Sequence, residues 1–435
     1  MKESKYNFIK NIDGVNVFFN SKTCALAVVD DNFMNVLNDI KENKFKEDNY
    51  DKKLIGDMKL SGCIIEDNVD EVRQIEFYRN LSKYDKSSLA LTLAPTLACN
   101  FRCTYCFENH GNKVMNEKTQ DEIISFIKNQ IKNIKNLSIT WYGGEPLIAR
   151  KIIYSLSEKI LALCEENKVI YTSFIITNAS LLTDQDILLF KKYKIRGAQV
   201  TIDGSKDVHD SRRISCNGKS TFDLLINNVN KLLNNGLDVI VRINVDKENI
   251  NRIKELIFVL KDRIDKYSKL KIDFGKVSTF TEVCKSIEKS CFDNEEYADL
   301  LLPLTDNIIN MGFDVNKMNI YPQVKYNYCC ADYINSFVID VDGFIYKCWN
   351  HVGVKEKSCG HISEMEKITS NEYLKWIQWN PLKNKKCKEC KMLPICMGGC
   401  PDLVIDSKND PVCDIVKYNL DNIIKFYYEK LKGVE

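Results

Sequence analysis

From residue 88 onward the chain alternates short apolar runs with longer stretches whose apolar residues recur every three or four positions. The runs 88–94, 137–142, 171–177, 197–203, 237–244 and 271–274 have the length and composition of strands. Between them, 117–134, 149–165, 222–234 and 250–265 carry the helical period. Six such repeats predict an α/β fold whose parallel sheet has right-handed crossovers. In folds of this kind reacting groups collect where strands end and loops begin.

Residues 1–84 pattern differently. Apolar runs at 15–19 and 25–29 are separated by the turn residues Asn20-Ser21-Lys22 and predict short strands. Helices are expected over 30–40, 51–58 and 67–81, with a further strand at 62–65. This gives a small α+β module ahead of the main unit, which is expected to span 85–312. The last part, 313–435, follows a helical bridge centred on 294–311. Strands at 336–339 and 344–347 around Asp342-Gly343 predict a hairpin there.

Composition narrows the class. A chain of 435 residues with 44% hydrophobic positions can bury a large core. A net charge of +2 offers no broad footprint for nucleic acid or an anionic membrane. The start, Met-Lys-Glu-Ser-Lys, is polar, and no apolar run reaches membrane-spanning length, so a soluble cytoplasmic protein is expected. Cysteine is the outlier. The 18 cysteines are mostly clustered, which favours metal over disulfides in that compartment. Cys24 and Cys63 lack partner spacing and read as packed thiols. Cys284 and Cys291, in the bridge, are not expected to ligate.

Three of the thiols, Cys99, Cys103 and Cys106, follow the first predicted strand of the main unit with three and two residues between them. Three close thiolates can hold three irons of a 4Fe–4S cube, and no fourth local cysteine is offered. Ferredoxin-like carriers close every iron with cysteine, and structural zinc takes four protein ligands. Three plus an open iron therefore points to a catalytic cluster.

CxxxCxxC with the aromatic Tyr105 before its last cysteine resembles the signature of the radical S-adenosylmethionine (SAM) family. The resemblance implies a partial (β/α)6 barrel, SAM chelated on the open iron, and reductive cleavage to a 5′-deoxyadenosyl radical. It implies that Tyr105 lies near the adenine. Gly143-Gly144-Glu145-Pro146, after the second strand, resembles the family segment that contacts the SAM amine. Ser180, after the third strand, matches a SAM-proximal position and is equally an N-cap candidate. Thr201-Ile202-Asp203-Gly204 with His209-Asp210 and Arg212-Arg213 resembles a further segment, in which Arg213 best matches the arginine on the SAM carboxylate. A guanidinium suits that role because it binds a carboxylate through two parallel hydrogen bonds. Asp203 belongs to the same segment, and His209 reads as structural. Arg242 and Asn244 share one face of the fifth strand, facing inward if Ile243 faces the helices.

The other dense cysteine pattern lies in 313–435: Cys329-Cys330, then Cys348 after the hairpin, then Cys387, Cys390, Cys396, Cys400 and Cys413. A zinc ribbon could use the same pairs, but the thiols exceed one tetrahedral site. The pattern resembles the SPASM domain. That implies an outer auxiliary 4Fe–4S cluster on Cys387, Cys390, Cys396 and Cys413. It also implies an inner one on Cys348, Cys400 and Cys329 or Cys330. With the SAM cluster this makes three cubes, fed by a flavodoxin- or ferredoxin-type reductant in an anaerobic cell.

Within this family the 1–84 segment resembles the winged-helix-like modules of ribosomal-peptide maturases, which add a leader peptide as an extra strand. Anaerobic sulfatase-maturing enzymes are the alternative. They usually start near the CxxxCxxC motif and carry an Asp after the hairpin cysteine, where this chain has Trp349. Both departures favour a maturase that cross-links a precursor peptide, with a Cys thioether as the expected bond. A non-enzymatic iron–sulfur electron carrier or peptide-binding protein is the reading from another class. It predicts no 5′-deoxyadenosine from SAM.

Overall fold

Six strands, Ser88–Leu93, Asn136–Trp141, Ile170–Thr177, Ile195–Thr201, Asp238–Val245 and Lys271–Lys276, lie side by side in chain order, each parallel to the next. They form the open barrel that the periodicity predicted. The computed structural model describes residues 1–314, 320–407 and 411–432. The helices Glu117–Gln130, Arg150–Glu166, Asp184–Lys192, Phe222–Asn234 and Ile253–Arg263 connect the strands and pack outside them.

Alternation within the strands sets the two faces. In Asp238–Val245, Val239, Val241, Ile243 and Val245 are buried, while Ile240, Arg242 and Asn244 are half-buried on the other face. The buried set joins a core that includes Leu91, Ile139, Trp141, Ile175, Val200 and Leu256. Each such side chain contributes roughly 1.5–3 kcal/mol on burial. The half-buried set is left to line the barrel interior.

The sheet does not stop at the first strand. Ser336–Ile339 adds parallel to Ser88–Leu93, with Ser336 opposite Ala90 and Ile339 opposite Leu93. Phe344–Tyr346 and Gly360–His361 follow antiparallel, giving nine strands in one sheet. Gly343 turns the hairpin with φ +86°, a conformation glycine adopts without strain. The predicted hairpin is thus fused to the barrel. At the far side Lys271–Lys276 is the sheet edge.

The N-terminal unit is a three-stranded antiparallel sheet, Asn7–Ile12, Val15–Asn20 and Ala25–Val29, with helices Asp31–Lys41, Lys52–Leu60 and Glu71–Lys83. It does not stand apart. Val17 and Phe19 pack on Leu420, Ile424 and Tyr428 of the C-terminal helix Val416–Lys432. Ile75 packs with Leu382, Leu393 and Met397. Arg79 and Lys83, each 1% exposed, both bond to Asp332, at 2.9 Å and 2.7 Å. Among the described residues no helix is long and apolar enough to cross a membrane.

Candidate active site

The loop after the first barrel strand carries the three thiols, and two local devices shape it. Within it Phe101–Cys103 pairs antiparallel with Arg213–Ser215, placing Arg213 opposite Cys103. Behind it lies the glycine pair. A Cβ on Gly143 would sit 2.4 Å from the Thr96 carbonyl oxygen, and one on Gly144 would sit 2.4 Å from that of Ala98. Gly143 also has φ +110°. The glycines make room for the backbone that leads into Cys99.

Cys99, Cys103, Cys106, Tyr105, Gly143, Gly144 and Arg213 line one cavity of about 400 Å³ at the barrel mouth. Burial pushes the Cys99 and Cys106 thiols up to about 12. Burial also raises Cys103, against the pull of Arg213. Such thiols stay protonated unless a metal takes the sulfur, and a bound metal deprotonates a coordinating thiol outright. Among the described residues no three Cys, His, Asp or Glu side chains are close enough to share one metal ion. Glu108 Oε2, His110 Nδ1, Arg213 Nε and Trp349 Nε1 face the same cavity, buried and without a hydrogen-bond partner. A polar ligand there would answer those atoms. The residues present therefore fit a cube with a polar small molecule beside it.

Three of the predicted contacts stand behind the cavity wall. Glu145 is fully buried and accepts from Leu147 N, Thr177 Oγ1 and Asn178 N at 2.9, 2.7 and 2.7 Å. Desolvation raises its carboxyl, opposed by those bonds. Ser180 accepts from Asn100 Nδ2 at 2.9 Å and donates to Asn178 Oδ1 at 2.7 Å. It caps no helix, since Thr183 caps Asp184–Lys192 with a capping box. Asp203 accepts the Tyr105 hydroxyl and the Asn244 backbone N–H, while Arg213 Nη1 donates to Tyr105 Oη at 2.9 Å. Arg212 lies over the Tyr105 ring, 5.2 Å from its centre, and is held by Asp246 at 2.9 and 2.7 Å without lining the cavity itself. Of the two arginines, only Arg213 faces the cavity. His209 is buried against Phe222, as a structural residue would be.

The sequence reading missed Glu108 and Tyr142, which face the same cavity. Burial raises the Glu108 carboxyl to about 7, with the Tyr142 hydroxyl opposing. Trp349 was noted only as a departure from a motif. Here it packs on Tyr142, with ring centres 5.3 Å apart, and closes the cavity from the hairpin side.

In the C-terminal part, Cys387, Cys390, Cys396 and Cys413 line a separate cavity of about 320 Å³. Lys417 Nζ lies 3.3 Å from Cys413 Sγ. Cys348 lies within electrostatic reach of Cys400 and Cys330, and Cys329 packs in the same cluster as Cys348. Cys348 Sγ is also 3.9 Å from Asp402 Oδ2, and Asp402 Oδ1 is 2.9 Å from His351 Nε2. Cys359, which no spacing marked, packs with Cys329 and Cys348 around Trp376.

An open six-stranded barrel with three thiols at the mouth of its first loop defines a class of cluster-bearing α/β proteins. Residues 93–260 match the radical SAM superfamily, so the chain carries a radical SAM domain. A 4Fe–4S cluster and SAM accompany that domain. The chain is 23% identical over 377 residues to a cysteine-type anaerobic sulfatase-maturating enzyme of Clostridium novyi, covering 78% of this chain and 97% of that protein. It is 23% identical over 487 residues to the radical SAM cyclopropyl synthase TigE of Paramaledivibacter caminithermalis, covering 97% and 95%. The structure of Streptococcus suis SuiB bound to precursor peptide SuiA aligns with TM-score 0.55 and 18% identity, over 93% of this chain and 96% of that one.

Proposed function

We propose that this protein is a peptide maturase that removes hydrogen from a residue of a ribosomally made precursor and closes a cross-link within it. The observation that carries the reading is the reach of the similarities. TigE and SuiB align over 97% and 93% of the chain, N-terminal unit included, against 78% for the sulfatase-maturating enzyme. Trp349, at the position where an Asp would be expected, supports the same choice.

Bound together, a reduced cube on Cys99, Cys103 and Cys106 and its SAM supply a hydrogen-abstracting carbon radical. The chain's own residues do the rest. Arg213 would hold the SAM carboxylate, and Tyr105, pinned by Asp203 and Arg213, forms a wall of the cavity. Trp349 and Tyr142 pack together on the hairpin side of the cavity and would shield a bound substrate from water there. Outer and inner auxiliary clusters on the two C-terminal thiol groups would bring the total to three and carry away the electron released at ring closure.

In the N-terminal unit the edge strand Ala25–Val29 leaves Val28 56% exposed. An exposed edge of this kind suits addition of a leader strand. A Cys thioether is the expected bond. The second reading, carbon–carbon ring closure, is favoured by the coverage of TigE.

The test is anaerobic incubation of the reconstituted enzyme with SAM, a flavodoxin or ferredoxin reductant and short peptides encoded beside its gene. A loss of two hydrogens per link is expected. Alkylation of the product separates the bonds, because a thioether removes a free thiol and a carbon–carbon link leaves it. SAM cleavage with no mass change in any neighbouring peptide refutes the reading.

A further inference from the structure

The barrel-mouth cavity is not isolated. A larger one of about 680 Å³ lies beyond the edge strand Lys271–Lys276, bounded by Tyr297, Tyr321 and Cys400. Arg242 lines both. It stands on the fifth strand, in register with Asp273 of the edge strand. Its Nε donates to Asn244 Oδ1 at 3.2 Å, and its Nη1 donates to Asp273. Its Nη2 has no acceptor among the described residues.

Gly275 makes this possible. A Cβ there would lie 1.7 Å from Arg242 Nη2 and 1.9 Å from Cζ. Without a side chain the edge strand forms a saddle, and the guanidinium lies across it from one cavity into the other. On the far side Tyr297 is 2% exposed, and its hydroxyl has no partner among the described residues. It is close enough for Arg242 to act on it electrostatically. An unspent guanidinium nitrogen and an unspent buried hydroxyl thus line one cavity, together with the Asp273 carboxylate that pairs with the arginine's Nη1. That donor pair is made for an anion, and a planar carboxylate suits a guanidinium best.

We propose that Arg242, with Tyr297, is the specificity-determining anchor for a carboxylate of the substrate peptide, which reaches the barrel mouth across the Gly275 saddle. This rests on the peptide-maturase reading. The carboxylate belongs to an acidic side chain near the modified residue or to the peptide's C-terminus.

Three end-labelled octapeptides built around a central Cys distinguish these sources. One has an internal Asp and an amidated end, one has Asn and a free C-terminal carboxylate, and one has Asn and an amide. Binding is read by fluorescence anisotropy on the anaerobic enzyme holding its clusters and SAM. The wild type is expected to favour one of the two carboxylate peptides over the neutral one on the order of tenfold. Arg242→Gln should erase that preference and Tyr297→Phe should weaken it. Gly275→Ala, which displaces the guanidinium but keeps its charge, should act like Arg242→Gln. Equal binding of all three peptides, or a preference that survives Arg242→Gln and Gly275→Ala, overturns the assignment. So does loss of SAM binding in Arg242→Gln, measured by equilibrium dialysis, which would give the guanidinium to the cofactor. Mass spectrometry of neighbouring peptides tests the maturase reading separately, and a carboxylate preference without any modification would sink that reading and leave the anchor standing.

Discussion

The change Gly144→Ala tests how the barrel sets the position of the first thiol. Its new Cβ would lie 2.4 Å from the Ala98 carbonyl oxygen and 2.7 Å from the Leu97 oxygen. Ordinary carbon–oxygen contact is about 3.3 Å, so the loop must yield by ~0.9 Å. Both obstacles are backbone, so no rotamer change relieves them. Overpacking of this kind costs about 1–3 kcal/mol, and the displaced carbonyl is bonded directly to Cys99. A thiol moved that far from its two partners no longer completes the grip on a cube. Anaerobically reconstituted Gly144→Ala should lose about four irons relative to the unaltered protein, with a lowered thermal midpoint. Gly56→Ala is the control, since nothing lies within 4 Å of a Cβ in that helix. It should keep its iron and gain about 0.5–1 kcal/mol. A Gly144→Ala protein with full iron and an unchanged midpoint would refute the claim that the glycines seat the thiol loop.

Three further outcomes follow from other parts of the structure. Asp332→Asn leaves Arg79 and Lys83 buried without their anion and should destabilise by about 3–5 kcal/mol in thermal and proteolytic unfolding. The triple replacement Arg79→Met, Lys83→Met and Asp332→Leu should recover most of that loss, and equal damage by both would count against the ion-pair account. Cys390→Ala should remove about four irons while leaving the barrel cluster's spectrum and SAM cleavage in place, and loss of SAM cleavage would contradict the separation of the sites. His209 is held well below the usual imidazole range by burial and by Arg213. Its folded-state pKa is depressed, so the unfolded chain takes the proton first, and stability is lost as pH falls below about 6.5. His209→Gln should flatten the fall of the thermal midpoint between pH 7.5 and 5.5, and an unchanged slope would show that the ring is not buried neutral.

How far the sequence alone carried depended on whether a signal was local. The barrel strands and hairpin were legible because apolar runs and turn residues report neighbouring positions. The thiol loop was legible because its ligands sit within eight residues, 99–106. The strand Asn7–Ile12 was missed because Asn and Lys interrupt its apolar residues, although Asp13-Gly14, with φ 53° and 84°, marks a hairpin turn after it. Glu145 and Asp203 were placed at the cofactor by resemblance. The structure gives their oxygens to protein donors, and only three-dimensional packing reveals how those bonds are spent. Glu108 and Tyr142 were missed because nothing in sequence tells a buried acid from an exposed one until the chain closes around it. Arg242 and Asn244 were placed on one face by period two, but the open space beside Gly275 depends on strands paired in register.

The fused sheet explains how the C-terminal cysteines relate to the chemistry at the barrel mouth. Ser336–Ile339 hydrogen-bonds to the first barrel strand, and that strand runs directly into the thiol loop. The hairpin then returns to Cys348, and the next residue, Trp349, lies on Tyr142 in the cavity. One continuous ladder therefore joins the strand that leads into the barrel-mouth thiols to the hairpin that ends at Cys348. The N-terminal helix Glu71–Lys83 is bound through Arg79 and Lys83 to Asp332, two residues past Cys330. That buried triad joins the N-terminal unit to the segment holding Cys329 and Cys330. If the triad is only structural, the Met, Met, Leu replacement that restores stability should also restore peptide turnover. If it couples binding of the proposed peptide to the cavity, stability should return while peptide turnover does not, and comparison of the two variants decides between them.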